Sequence, residues 1–376
     1  MENKRMQKKH LGMIVLLVAG FALAPTRAGQ ADEDVARLQQ IASRGIGFLR
    51  SRGQAADGSF SGALGPAVTA LTTTALLQHG VTPQDNTVAR ALAYLEKFVQ
   101  SDGGIYQSGT YYKNYETSLA LICFQAANKD GRYKKLLADA EKFLKDLQWD
   151  QGEGKDKSDF AFGGQGYGKN KRADLSNTSF FVEALVAAGN KSNSDAIQRA
   201  LVFIARCQNH ESAANTTPFA AKNPDGGFYY TPDSGGYSQA GKTAAGGLRS
   251  YGSMTYAGLK SMIYAGVGPE DPRVKAAVEW LRGHYDLKTN PGMGTAGLFY
   301  YYHTFAKALD ALGQEVFVDE SGARHHWRKE LIAELARRQL QDGSWLNSNQ
   351  RWYEADANLV TAYALLALHY CRPTSE

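Results

Sequence analysis

Six times along this 376-residue chain a glycine-containing turn leads into an apolar stretch, and four of the turns are Asp-Gly pairs. They are Asp57-Gly58-Ser59-Phe60, Asp102-Gly103-Gly104-Ile105, Asp225-Gly226-Gly227-Phe228 and Asp342-Gly343-Ser344-Trp345. Looser versions stand at Phe162-Gly163-Gly164 and Pro291-Gly292-Met293-Gly294. A recurrence of this period marks an array of helical hairpins, in which no single unit buries its own apolar face.

Each unit has one grammar. The segment before the turn is amphipathic: in Val88–Phe98 the apolar positions 88, 91, 92, 95 and 98 share one face, with charges opposite. That is the period of about 3.6 residues of a half-exposed helix. The segment after the turn is apolar nearly all round, as in Val68–His79, Thr178–Ala188 and Leu359–Tyr370. Such a helix is buried on both sides. Five of these segments carry a threonine near the start (Thr69, Thr117, Thr178, Thr255 and Thr361), read here as caps for free backbone N–H groups.

Alternating half-exposed and fully buried helices predict two concentric layers. The repeats fall at about 35–80, 88–128, 134–189, 196–266, 273–313 and 327–371. The first and last resemble the rest, whereas an open array needs atypical capping repeats. The expected fold is therefore an all-α (α/α)6 toroid over residues 35–372. Long connections at 149–174, 210–250 and 317–326 are expected to build one end of the ring, where loops of that length are usually functional.

The first 28 residues are read separately. Lys4, Arg5, Lys8 and Lys9 precede a thirteen-residue apolar run, Leu11–Leu23, and Thr26-Arg27-Ala28 offers a small-x-small cleavage site. This is the pattern of a cleaved export signal, and the run is shorter than the roughly 20 residues that span a bilayer. The expectation is a secreted or periplasmic protein with no transmembrane segment after cleavage. Removing residues 1–28 takes five basic residues and one acid from a chain of net charge +5, leaving it near neutral. No basic patch with interleaved aromatics remains to bind nucleic acid. Cys123, Cys207 and Cys371 are scattered and odd in number, neither a disulfide framework nor a zinc module.

With the repeats laid out, the chain resembles the terpene cyclase and protein prenyltransferase α/α-toroids. Gln339-Leu340-Gln341-Asp342-Gly343-Ser344-Trp345 is similar to the glutamine–tryptophan repeat of squalene and squalene-hopene cyclases. The resemblance implies an isoprenoid or other apolar ligand in a central aromatic pocket. It also implies catalytic motifs, and these are incomplete. Where such cyclases carry Asp-x-Asp-Asp, this chain reads Asp174-Leu175-Ser176-Asn177. Where the prenyltransferases hold zinc, it offers His303 without the aspartate and cysteine, and one histidine does not hold zinc. No metal and no cofactor is expected.

Candidate catalytic carboxylates are Asp174, Glu116 and Asp356, each at or just before the start of a buried helix, where capping is the competing role. Candidate ligand contacts are Asn177, Tyr115, Tyr251, Tyr302 and His303, with Tyr111, Tyr112 and Tyr256 among the aromatics around them. Three functions remain open: a divergent binder or converter of an apolar ligand, a secreted glycosidase or polysaccharide lyase acting on an oligosaccharide, and a non-catalytic interaction module. The second needs paired carboxylates from distant repeats.

Overall fold

The computed structural model describes residues 27–169 and 171–373. The segment expected as an export signal, 1–28, lies outside them but for its last two residues. Among the described residues are twelve α-helices. The odd-numbered ones are α1 (Arg27–Phe48), α3 (Asn86–Glu96), α5 (Lys134–Asp146), α7 (Asp195–Arg206), α9 (Pro272–Arg282) and α11 (Trp327–Arg338). The even-numbered ones are α2 (Pro66–Gln78), α4 (Lys113–Ala127), α6 (Leu175–Ala187), α8 (Gly252–Tyr264), α10 (Leu298–Ala311) and α12 (Ala357–Tyr370). None is long and apolar enough to cross a membrane.

Burial sorts the two sets as their sequences predict. In α2 every residue from Pro66 to Leu76 is buried, and in α12 every residue from Leu359 to Leu368. In α7 burial follows one face, through Ala196, Ile197, Ala200, Phe203 and Ile204. The even helices pack in sequence, α2 on α4, α4 on α6, α6 on α8, α8 on α10, α10 on α12, and α12 back on α2. That last contact closes the ring. The odd helices lie outside it, and α1 packs on α12 and α11 rather than on its sequence neighbour α2. The architecture is an (α/α)6 toroid.

The glycine turns lock each unit to the next. Gly58 has φ +94° and Gly343 φ +91°, a left-handed backbone where a side chain is strained. A Cβ at either would come within 2.4 Å of a carbonyl oxygen of the following outer helix, Arg90 for Gly58 and Arg44 for Gly343. Gly103, Gly163 and Gly226 stand in the same way against Asp139, Arg199 and Ala276. A glutamine ties the same joint. Gln54 Nε2 donates to the Gly58 carbonyl at 3.1 Å and to the Thr87 carbonyl of α3 at 2.7 Å. Gln148 and Gln208 repeat this pattern, and Gln339 donates to Gly343 and to Ile41 of α1, joining the sixth turn to the first helix.

Two expectations are corrected. The threonine column does not cap its own helices. Instead Thr69, Thr117, Thr178, Thr255 and Thr361 each accept an N–H from the strand-like segment after the glycine turn, at Phe60, Ile105, Gln165, Phe228 and Trp345. Those N–H groups are buried and have no sheet partner, so a hydroxyl from the adjacent inner helix satisfies them. The 317–326 connection does not belong with the other long loops. It joins an inner helix to an outer one and forms a hairpin, β1 (Phe317–Val318) with β2 (Arg324–His325), in the outer layer. Arg282 of α9 bonds it through the Val318 carbonyl, and Tyr285 stacks on Phe317 and His325.

Candidate functional site

Every outer-to-inner connection opens at one end of the ring, so all six inner helices present their N-termini there. Free N–H groups and the positive end of each helix dipole gather at this mouth, which suits carboxylates. All three candidate carboxylates are found here, in different states.

Asp174 is the N-cap of α6. Its Oδ1 accepts the Asn177 N–H at 2.9 Å and its Oδ2 accepts the Asn177 side-chain amide at 2.8 Å, with the Tyr230 phenol close by. Burial raises its carboxyl to about 6 against the opposing pull of these bonds. Asn114 of α4 in turn donates toward Asn177. Asp174 and Asn177 thus form one committed capping unit, in the frame where the cyclases place their acid.

Glu116, in the first turn of α4, is less committed. Its Oε2 accepts the Gln107 N–H at 2.8 Å, while Oε1 lies against Gly65, the residue that opens α2. Burial pushes its carboxyl up to about 7, opposed only by the Gln107 bond. Asp356 caps α12: Oδ1 accepts the Leu359 N–H and the Ser61 hydroxyl, both at 2.9 Å. One short turn, Ser61 to Gly65, therefore touches Asp356 at its start and Glu116 at its end. Beside it is a cleft of about 430 Å³ lined by Ser61, Ala63, Leu64, Gln350, Tyr353 and Asp356.

Glu354 is a fourth carboxylate at the mouth, beside the three candidates. It is buried, its Oε1 accepting the Phe299 and Tyr300 N–H groups at 3.0 and 2.9 Å and its Oε2 an Asn347 amide hydrogen. It caps α10 from another repeat, because α10 begins at Gly297 with no side chain of its own to do so. That glycine was the available signal.

Below the mouth, side chains from four inner helices meet. Tyr115 packs edge-on to Phe180 at 5.3 Å, Phe180 against Tyr300 at 6.2 Å, and Tyr300 edge-on to Tyr363 at 5.8 Å. His303 stacks on Tyr363, and burial together with Lys307 and Lys260 holds it well below its ordinary value, hence neutral. Tyr251, at the N-cap of α8, is buried close to Tyr300 and Asp174. Tyr302 does not join them. Its hydroxyl donates to the Leu287 carbonyl between the layers, so it is removed from the ligand set. Deeper still, Glu183 of α6 bridges Lys260 of α8 and Lys307 of α10 in a buried ion triad. Among the described residues no group of three or more His, Cys, Asp or Glu is placed to hold a metal ion.

Residues 62–234, from the first inner helix to the connection after α7, match the model of the squalene-hopene cyclase C-terminal domain. The chain resembles the terpene cyclase and prenyltransferase superfamily. No curated protein matches the sequence. Among solved structures, an α-amylase from Clostridium perfringens is similar at 11% identity and TM-score 0.55, covering 88% of this chain and 97% of that one. A family 76 glycoside hydrolase from a bovine Bacteroides thetaiotaomicron strain gives 10% and 0.55, covering 88% and 77%. A protein from Actinoplanes gives 15% and 0.50, covering 89% and 99%. At these identities the likeness is one of fold.

Proposed function

We propose that the ring mouth is the active site of an exported carbohydrate-active enzyme, with Glu116 as proton donor and Asp356 as the partner carboxylate. The observation that carries this reading is the state of Glu116: a buried carboxyl raised to about 7, with Oε1 uncommitted against Gly65, at the end of the Ser61–Gly65 turn whose start lines the cleft. Glycoside hydrolysis needs one carboxyl held protonated to give its proton to the leaving oxygen and a second to act on the other side of the bond. Asp356 stands on the far side of the Ser61–Gly65 turn and lines the cleft, whose volume is in the range of small-molecule sites. In this scheme Glu116 protonates the glycosidic oxygen as the C–O bond breaks. Asp356 takes a proton from the water whose oxygen bonds the anomeric carbon. The amylase and the family 76 hydrolase, built on the same kind of ring, support the reading without deciding it.

The test is reducing-sugar release from a panel of α-glucans, α-mannans and β-glucans. Activity on one member, lowered about 10²- to 10⁴-fold in Glu116→Gln, is expected of a lost general acid. Wild-type rates in that variant would remove Glu116 from the chemistry.

A second reading, an isoprenoid or other apolar ligand, is favoured by the aromatic group Tyr115, Phe180, Tyr300 and Tyr363 and by the cyclase-domain match. Against it stands the Glu183–Lys260–Lys307 triad, since ammonium groups make a poor wall for a polyene chain. Solvent extraction of the purified protein followed by mass spectrometry separates the two readings, a stoichiometric isoprenoid favouring this one.

A further inference from the structure

The turn Arg351–Tyr353 is the most strained segment of the mouth. Trp352 has φ +56° and Tyr353 φ +63°, two bulky aromatics in succession in the left-handed region. Large side chains rarely occupy that region, and they stay there only where the surroundings hold them. The surroundings do so here. The Asp356 N–H donates to the Tyr353 carbonyl at 2.8 Å, and Asn347 and Glu354 are bonded through both backbone and side chain. Trp352 lies over Gly297, where a Cβ would come within 2.9 Å of its ring, and Arg351 stacks on its ring and reaches Gln239 of the 210–250 connection.

The result is display rather than burial. Tyr353 is 60% exposed and Trp352 40%. Tyr353 forms one wall of the cleft. Nearby, Tyr112 bonds Tyr111 through their hydroxyls, and that bond, burial and the phenols of Tyr111 and Tyr353 push Tyr112 up to about 12. Tyr111 is itself 51% exposed. An exposed aromatic face therefore stands in a cleft whose polar groups include Gln350, Ser61 and Asp356.

A sugar ring has this same mixed chemistry, a flat C–H face that packs on an aromatic and a rim of hydroxyls for hydrogen bonds. We infer that the Trp352–Tyr353 turn is a sugar-stacking subsite, outside the carboxylate pair, that makes the mouth select chains of several sugars over single ones. This rests on the carbohydrate reading above for its ligand class, but not on catalysis.

The experiment measures binding of maltohexaose, mannohexaose and cellohexaose, and of glucose and mannose, by titration calorimetry in a Glu116→Gln background that prevents turnover. Two further substitutions are compared. Tyr353→Gly suits the left-handed backbone and removes the ring; Tyr353→Phe keeps the ring. The expected result is that one hexasaccharide binds at least tenfold more tightly than its monosaccharide. That preference should fall at least tenfold in Tyr353→Gly and survive in Tyr353→Phe, with both proteins folded by circular dichroism. Equal affinity for hexamer and monomer, unchanged binding in Tyr353→Gly, or no hexasaccharide bound overturns the subsite. Chain-selective binding by a protein whose wild type releases no sugar keeps the subsite and removes the hydrolase.

Discussion

At the scale of single residues, Glu116 and Asp174 show how one feature, a carboxylate at an inner-helix start, resolves into two roles. Asp174 spends both oxygens on Asn177. Asp174→Ala is predicted to cost about 1–2 kcal/mol as a lost cap, read as a lower urea midpoint. Glu116 keeps an oxygen free, and its raised carboxyl has a consequence for pH. Between its ordinary value of 4.5 and about 7, the folded protein holds a proton that the unfolded chain has released. Stability contributed by that proton is therefore present below about 4.5 and lost as pH rises through about 7. Thermal midpoints should fall across this window, and the Glu116→Gln protein should show a flatter profile; equal slopes would contradict the assigned state of Glu116. The position of both residues was legible in the sequence. Their difference was not, because it depends on Gly65, Gln107 and Tyr230, which lie 51, 9 and 56 positions away from them.

Elements are held to one another by two devices of different kinds. The first is the turn joint. Gly343→Ala adds left-handed strain to a clash with the Arg44 carbonyl and is predicted to cost about 2–4 kcal/mol. Gly313 is also left-handed, at φ +70°, but has open space around its Cβ position, so Gly313→Ala should cost only about 1 kcal/mol. Chemical denaturation of the pair measures the clash by difference. The second is the ion triad linking α6, α8 and α10. Glu183→Gln leaves two ammonium groups buried without their counter-charge and should cost about 3–5 kcal/mol. Replacing Glu183, Lys260 and Lys307 together by Leu, Met and Met should recover most of that loss. The repeat grammar showed the glycine half of the first device, since the turn recurs in register, whereas the glutamine tie appears only in the hydrogen bonds between repeats. It gave no hint of the second, because Glu183, Lys260 and Lys307 occupy one position each on three unlike helices.

At the scale of the whole molecule, closure makes the chain ends ordinary. Helix α1 stands to α12 as α3 stands to α2, an outer helix following an inner one, although the chain is cut between them. Arg372, just past α12, bonds the Gln78 carbonyl at the end of α2. A circular permutant that joins residue 373 to residue 32 by a short linker, with new ends in the 189–194 connection, is predicted to fold with a melting midpoint within about 5 °C of the parent. Deleting residues 27–53 should instead unfold the protein, because the Gln339 and Gly343 joint then has no helix to close on.

The sequence alone determined the helices, their two layers, their number and the closing of the ring. Each of these follows from local periodicity and from a turn repeated often enough to count. It also showed that the cyclase and zinc motifs are incomplete. Only the tertiary structure decided which mouth carboxylate is spent on capping and which is free. It also decided that Tyr302 faces away from the ring's centre, that Glu354 caps a helix of another repeat, and that Trp352 and Tyr353 are held outward. Those facts depend on contacts between repeats far apart in the chain. A period that makes every repeat look alike carries no information about which side chains it brings face to face.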